Sequence, residues 1–230
     1  MGVRAYRWTG NIARVGTSGS LRAGRALGYG LDGVAHRDQL REAGFDAHRI
    51  DAQVAAGRWR RVGPAVVLHN GPLTAMQRRQ VALLNCGPRA VLTSFTALEE
   101  WGLTGWSREQ IHVLAPAGTA RPRLRGLVLH RSGDWSAVDL APVRRLHRVA
   151  AAAVIAASGF RASRPSCGLL AAAVQQRLTP PSDVRAALDA APRARHRAAM
   201  LRAVADIAPV ANALSEFALR RICRRFGLPQ

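Results

Sequence analysis

Residues 33–68 read GVAHRDQLREAGFDAHRIDAQVAAGRWRRVGPAVVL, and this stretch decides the fold. Leu40 and Ala43 are the inward positions of a helix expected over 36–43, with Val34 packing before its start and Gly44 ending it. Asp46 offers an N-cap for a second helix over 47–56, in which Ala47, Ile50 and Val54 recur at spacings of three and four and share a face. The opposite face carries His48, Arg49 and Ala52, with Gln53 at its edge. Trp59 and Val62 then anchor a strand from which Arg58, Arg60 and Arg61 reach outward. Gly63 and Pro64 turn the chain, and Val66, Val67 and Leu68 bring it back. Helix, tight turn, helix and arginine-rich hairpin, in that order, give the sequence shape of a winged helix-turn-helix.

In such a unit the second helix enters a major groove and the wing touches phosphate. Arginine takes guanine bidentately, glutamine takes adenine, and a small alanine lets the helix backbone sit deep. His48, Arg49 and Gln53 are therefore the expected base contacts, and Arg58, Arg60 and Arg61 the expected phosphate contacts. The plainer alternatives are a solvated polar helix face and an edge strand protected from aggregation by its charges. Helix order, loop lengths and the arginine cluster coincide, and together they favour the wing.

The whole chain is consistent with a polyanionic partner. Its 230 residues carry 34 basic against 14 acidic side chains, a formal charge of +20, and every basic residue is arginine. A GC-rich coding sequence accounts for part of that arginine, but the shortage of acids leaves a compact chain that repels itself unless a polyanion is near. Cys86, Cys167 and Cys223 show neither pairing nor metal spacing, which fits a reducing cytoplasm. Residues 1–20 lack the apolar run of a signal peptide, and the longest apolar run, 149–157, is mostly alanine and too short to span a bilayer. A cytoplasmic protein with no membrane partner is expected.

Residues 1–20 form a flexible basic arm by composition. A first helix over 21–27 is closed by glycines at 28, 30 and 33; these spell GYGLDG, but no strand precedes them, so a dinucleotide fingerprint is rejected. Beyond the wing, a helix is expected over 72–84, with Cys86 a small buried residue and not a nucleophile. A short strand over 90–93 leads into a helix through Trp101. Strands over 111–115 and 127–130 bracket a hairpin with a basic tip, Arg121, Arg123 and Arg125, which offers a second backbone contact or is simply a solvated loop. His112 and His130 face each other across these strands, but no spacing supplies a third ligand, so no metal is expected. Helices over 143–157, 167–178, from Ser182 or Asp183 through Ala190, and 193–207 complete a structural half, with Pro180 and Pro181 as breakers.

The phrases GVAHRDQL, VAAGRWRRVGPAVVLHNGPLT and QRRQVALLNCGPRAVLTSFTAL resemble the N-terminal half of a large actinobacterial family. Its members begin with the winged helix of AbiEi-type antitoxins from abortive-infection systems, and many end in a nuclease-like domain related to the very-short-patch-repair endonuclease. The resemblance implies an acidic residue four positions after Arg148, where this chain has Ala152, so an expected ion pair is missing. It also implies that LSEFALRRICRRFGLPQ, 214–230, opens the nuclease-like domain, with Glu216 its helix acid. One carboxylate cannot assemble a divalent metal site, so Glu216 is expected to be vestigial and the chain not an enzyme. The final segment is expected to form an amphipathic helix.

These readings give an α+β, mainly helical chain: a basic arm over 1–20, a winged helix-turn-helix over 21–70, a mixed α/β and helical domain over 71–209, and a terminal helix over 210–230. The expected function is DNA binding as an antitoxin-like transcription regulator, with double-stranded DNA as partner and no cofactor. The alternatives are a truncated remnant of a DNA endonuclease and an interaction module binding a cognate toxin or other protein. Oligomeric state stays open.

Overall fold

The computed structural model describes residues 33–134, 138–141 and 145–208. The expectations for 1–20, for the helix over 21–27, for the GYGLDG glycines and for Glu216 with the terminal helix lie outside the described residues. The chain is α+β, and its described part divides into two units, 33–81 and 82–208.

The first unit holds β1 (Val34–His36), α1 (Arg37–Glu42), α2 (Ala47–Ala55), β2 (Arg60–Val62) and β3 (Ala65–Val67). Local signals set each boundary. His36 caps α1 by accepting from the Asp38 amide, while Gln39 Oε1 accepts from the His36 amide at 2.8 Å. At the other end the Phe45 and Gly44 amides return to Leu40 and Arg41 at 2.9 Å each, and Gly44 takes the positive φ of 87° that this closure needs. Asp46 Oδ1 then accepts from the Arg49 amide at 2.7 Å to start α2, and Gly57 closes it in the same manner with φ 66°.

The sheet order is β1-β3-β2, all antiparallel, with Val67 opposite both Val34 and Arg60. Gly63, at φ 59°, opens the two-residue loop between β2 and β3, the position where a tight hairpin demands glycine. Ala35, Leu40, Phe45, Ile50, Trp59 and Val66 form the core, with Phe45 and Trp59 rings tilted at 5.5 Å. Two helices joined by a tight turn and followed by a hairpin, the order expected from the sequence, are present among the described residues. Two details differ from the sequence reading. Residues 34–36 form a strand, not a lead-in to a helix, and Ala47 is exposed because the first turn of α2 lies beyond the core.

The division between units falls within α3 (Ala75–Asn85). The second unit continues with β4 (Val91–Leu92), α4 (Ser94–Glu100), β5 (Ile111–Pro116), β6 (Leu127–Ser132), α5 (Val149–Ser158), α6 (Ser163–Gln175) and α7 (Pro181–Asp189), and residues 197–208 are helical. β4 pairs antiparallel with β5, and β5 parallel with β6. The expected basic-tipped hairpin is thus corrected: 117–126 is a crossover between parallel strands, an orientation that strand periodicity does not encode.

The expected helix over 143–157 begins only at Val149, because the preceding backbone is committed to β4: the Leu92 amide bonds Arg145 O and the His147 amide bonds Leu92 O, both at 2.9 Å. The alanine-rich α5 is packed by α4, α6 and α7, with Ala152, Ala153 and Ala157 fully buried. α6 starts at Ser163, four residues before the expected start at Cys167. Pro180 serves as N-cap and Pro181 as first residue of α7, where a missing N–H costs nothing, so neither breaks that helix and the cap is not Ser182 or Asp183. Met200 and Val204 bury the final described helix. Among the described residues no helix is long and apolar enough to cross a membrane.

Candidate nucleic-acid interface

The outward face of α2 is where the sequence reading put it. His48, Arg49 and Ala52 are exposed, while Ile50 on the opposite side is buried. The Arg49 guanidinium lies 5.7 Å from the Phe45 ring centroid, and its Nη1 donates to Gly44 O at 3.3 Å. An exposed cation–ring contact of this kind contributes about 0.5–1 kcal/mol, small enough for a better partner to displace. Gln53 is half-buried, and its Oε1 accepts from Arg58 Nε at 2.6 Å. A bidentate contact to adenine uses both ends of the amide, so Gln53 must first release Arg58 to make one.

The wing presents its arginines unequally. Arg61 is exposed and donates through Nη2 to Asp51 Oδ1 on α2. Arg60, which the sequence reading sent outward with Arg61, is half-buried instead: its Nη2 bonds Gly71 O at 3.3 Å, and its Nε is buried without a hydrogen-bond partner. Strand alternation explains the difference. Arg60 pairs across the sheet with buried Val67 and shares its face with Val62, which leaves Arg61 on the other. Arg58, exposed and held by Gln53, sits before the strand begins.

Asp51 is the residue that sequence reasoning missed. It is the lone acid in α2, and that was the available signal. Asp38 pairs with Arg41 at 3.3 Å, and Asp46 is occupied as a cap. Eight arginines stand against four acids over 33–81, so the unit is basic even with these pairs made.

The second unit places the remaining candidates. Arg121, Arg123 and Arg125 are exposed on the crossover. Cys86 is buried, and burial pushes its thiol up to about 11, which removes it as a nucleophile. Arg148, without an acid at 152, pairs instead with Asp139 at 2.8 Å. His112 Nδ1 and His130 Nε2 approach to 3.0 Å, with ring centroids 5.3 Å apart and planes at 22°. That centroid separation equals the N···N distance plus the two ring radii, so the rings meet edge to edge in one N–H···N bond and do not stack. The one lone pair between these nitrogens is taken by the facing N–H, so the pair does not converge on a third point. Desolvation lowers both histidines, His112 to about 4 with help from His130 and Arg108, and it lowers His147, hydrogen-bonded to Thr93 at 2.9 Å, to about 4 as well. Among the described residues no group of three or more His, Cys, Asp or Glu can hold a metal.

No family model and no curated protein matches the chain. Among solved structures, the crystal structure of the RV2827C protein from Mycobacterium tuberculosis is similar over 74% of this chain and 72% of that chain, with a TM-score of 0.45 and 16% identity.

Proposed function

We propose that the chain binds double-stranded DNA through α2 and the wing, as a sequence-selective transcription regulator of the antitoxin type. The observation that carries this reading is the exposed His48–Arg49–Ala52 face of α2 beside a three-stranded sheet whose outward arginine is Arg61. A helix such as α2 is about 10–12 Å across with its side chains and fits a major groove about 12 Å wide. Arg49 swings from Gly44 O to a guanine edge, and His48 lies one position before it on the same face. Arg61 and Arg58 exchange Asp51 and Gln53 for phosphate oxygens. Arg60, whose exposed Nη2 bonds Gly71 O, exchanges that acceptor for phosphate in the same way. Nothing in this scheme requires a cofactor or a covalent step.

A gel-shift titration with the duplex upstream of the chain's own gene tests it. Arg49→Ala is expected to relax discrimination between that duplex and a scrambled one. Arg61→Ala weakens both alike and makes the log–log salt slope shallower by about 1. Binding that does not depend on salt, or variants indistinguishable from the native chain, overturns the proposal.

A further inference from the structure

The crossover 117–126 has to return the chain from the end of β5 to the start of β6, and those strands run parallel through six paired positions. The return distance is about 16 Å at about 3.3 Å per residue. Turns occupy 117–118 and 125–126, so the intervening residues 119–124 cover about 16 of the roughly 20 Å that six extended residues span and are largely extended. Extended backbone sends alternate side chains to opposite sides, and the exposures follow: Arg121, Arg123 and Arg125 are exposed, and Pro122 and Leu124 half-buried. Leu124 packs against the core of this unit.

The strap is held at both ends. Arg131 donates through Nε and Nη2 to Thr119 O, both at 3.2 Å, and the Thr119 amide bonds Pro116 O at 3.0 Å. The Leu127 amide returns to Leu124 O at 3.4 Å, and the Ile111 amide bonds Gly126 O at 2.8 Å. Pro122 removes a further degree of freedom. Its three outward arginines make no hydrogen bond or ion pair with any described residue, whereas Arg41, Arg61, Arg148, Arg185 and Arg197 all pair with aspartates. Arg108 and Arg125 line one shallow groove together with a single acid, Glu109.

From this geometry we infer that the strap is a second, sequence-independent binding surface for the phosphodiester backbone of nucleic acid. Arg121 and Arg123 stand two residues apart on the extended segment, a backbone repeat of about 6.6 Å that is comparable with successive phosphates along one strand, and Arg125 follows in the turn that ends it. Because the segment is already extended and anchored, little ordering entropy opposes the contact. A bilayer is a poorer match, since membrane-surface segments pair their charges with exposed apolar side chains, and here Pro122 and Leu124 turn away from solvent. The inference rests on the DNA reading above only in taking duplex DNA as the polyanion.

The test uses the full chain and a short random-sequence duplex, with fluorescence anisotropy followed across a NaCl series. Replacing Arg121, Arg123 and Arg125 together by Gln is expected to make the log–log salt slope shallower by about 2 to 3. Replacing the same three by Lys keeps the native slope, which separates charge from loss of folding. A Gln variant with the native slope overturns the inference. So does a Gln variant that loses binding to phosphatidylserine vesicles while its DNA slope stays native. If Arg49→Ala leaves sequence preference unchanged while the strap variant still flattens the slope, the strap stands and the α2 reading fails.

Discussion

Replacing Arg145 by methionine removes a guanidinium that donates to three main-chain oxygens. Nε bonds Ala90 O at 2.8 Å, and Nη2 bonds Gly87 O at 2.6 Å and, weakly, Leu83 O at 3.4 Å. These carbonyls belong to the last turn of α3 and to the loop that leads into β4, so one side chain ties the helix end to the loop. A hydrogen bond to a charged donor contributes about 1.5–3 kcal/mol, and two of these have good geometry. Against that stands the cost of holding a guanidinium half-buried, since burial lowers the Arg145 pKa from its usual value, with Cys86 acting in the opposite sense. Methionine removes this penalty and keeps most of the stem packing. The net loss expected for Arg145→Met is therefore about 2–3 kcal/mol, below the sum of the lost bonds. Arg145→Lys, a point charge that cannot span the same oxygens, recovers less than half of it. Equilibrium unfolding in guanidinium chloride reads both variants. Arg145 also pulls the Cys86 thiol down against the effect of burial, so Arg145→Met should move that thiol above its present value of about 11. A loss below about 0.5 kcal/mol, or a lysine variant as stable as the native chain, refutes the clamp.

Three further outcomes follow from the geometry. His112 and His147 are held near pKa 4 against an ordinary value of 6.5, so their neutral forms favour the folded state. That stability is complete above pH 6.5, where both states are neutral, and is lost as pH falls toward 4, at about 3 kcal/mol for each histidine; unfolding midpoints that do not change between pH 7 and 4.5 would contradict it. Asp51→Asn frees Arg61 and removes a negative charge from α2, so duplex affinity should rise several-fold while stability drops by less than about 1 kcal/mol, as for an exposed pair; weaker binding in the same anisotropy assay argues against Asp51 competing with phosphate. Leu40→Ala empties a fully buried position in the first unit and should cost about 2–5 kcal/mol in chemical unfolding, and a loss under 1 kcal/mol would show that the core collapses around the gap.

The parts of this fold that were legible in the sequence are those set by short-range chemistry. Asp46 announces α2 because a carboxylate three residues before an amide satisfies it, and Gly44 marks the end of α1 because the closing turn needs a positive φ. Trp59 and Ile50 announce the first core by size and period. What was not legible depends on partners far along the chain. Nothing in Val34–His36 distinguishes a strand from a lead-in until β3 lies beside it. The orientation of β6 against β5 has no local signature, so periodicity alone does not separate a strap from a hairpin. Arg145 and His147 look like the first turn of an amphipathic helix, and only their hydrogen bonds to Leu92 hold them out of it. Within the site, the exposed face of α2 followed from its period. The unequal fates of Arg60 and Arg61 did not, because buried Trp59 sits one residue before β2 and breaks the simple in–out parity of that strand.

The two arginine sets differ in a way that divides the proposed labour between them. In the first unit each candidate guanidinium already has a local acceptor: Arg49 has Gly44 O, Arg58 has Gln53 Oε1, and Arg61 has Asp51 Oδ1. Each such contact is exposed and contributes only about 0.2–1 kcal/mol, so together they withhold about half to two powers of ten in affinity from a duplex that offers phosphate alone. That cost falls alike on right and wrong sequences, so the gap between them comes from the base edges offered to α2. In the second unit Arg121, Arg123 and Arg125 have no such contacts with described residues and give up nothing when they meet phosphate. On the proposed reading the wing and the strap together carry the salt-dependent, sequence-blind share of binding, and selectivity comes from α2. Combining Asp51→Asn with the Gln-substituted strap should then give a chain that binds duplexes more weakly than the native one and discriminates among them equally well.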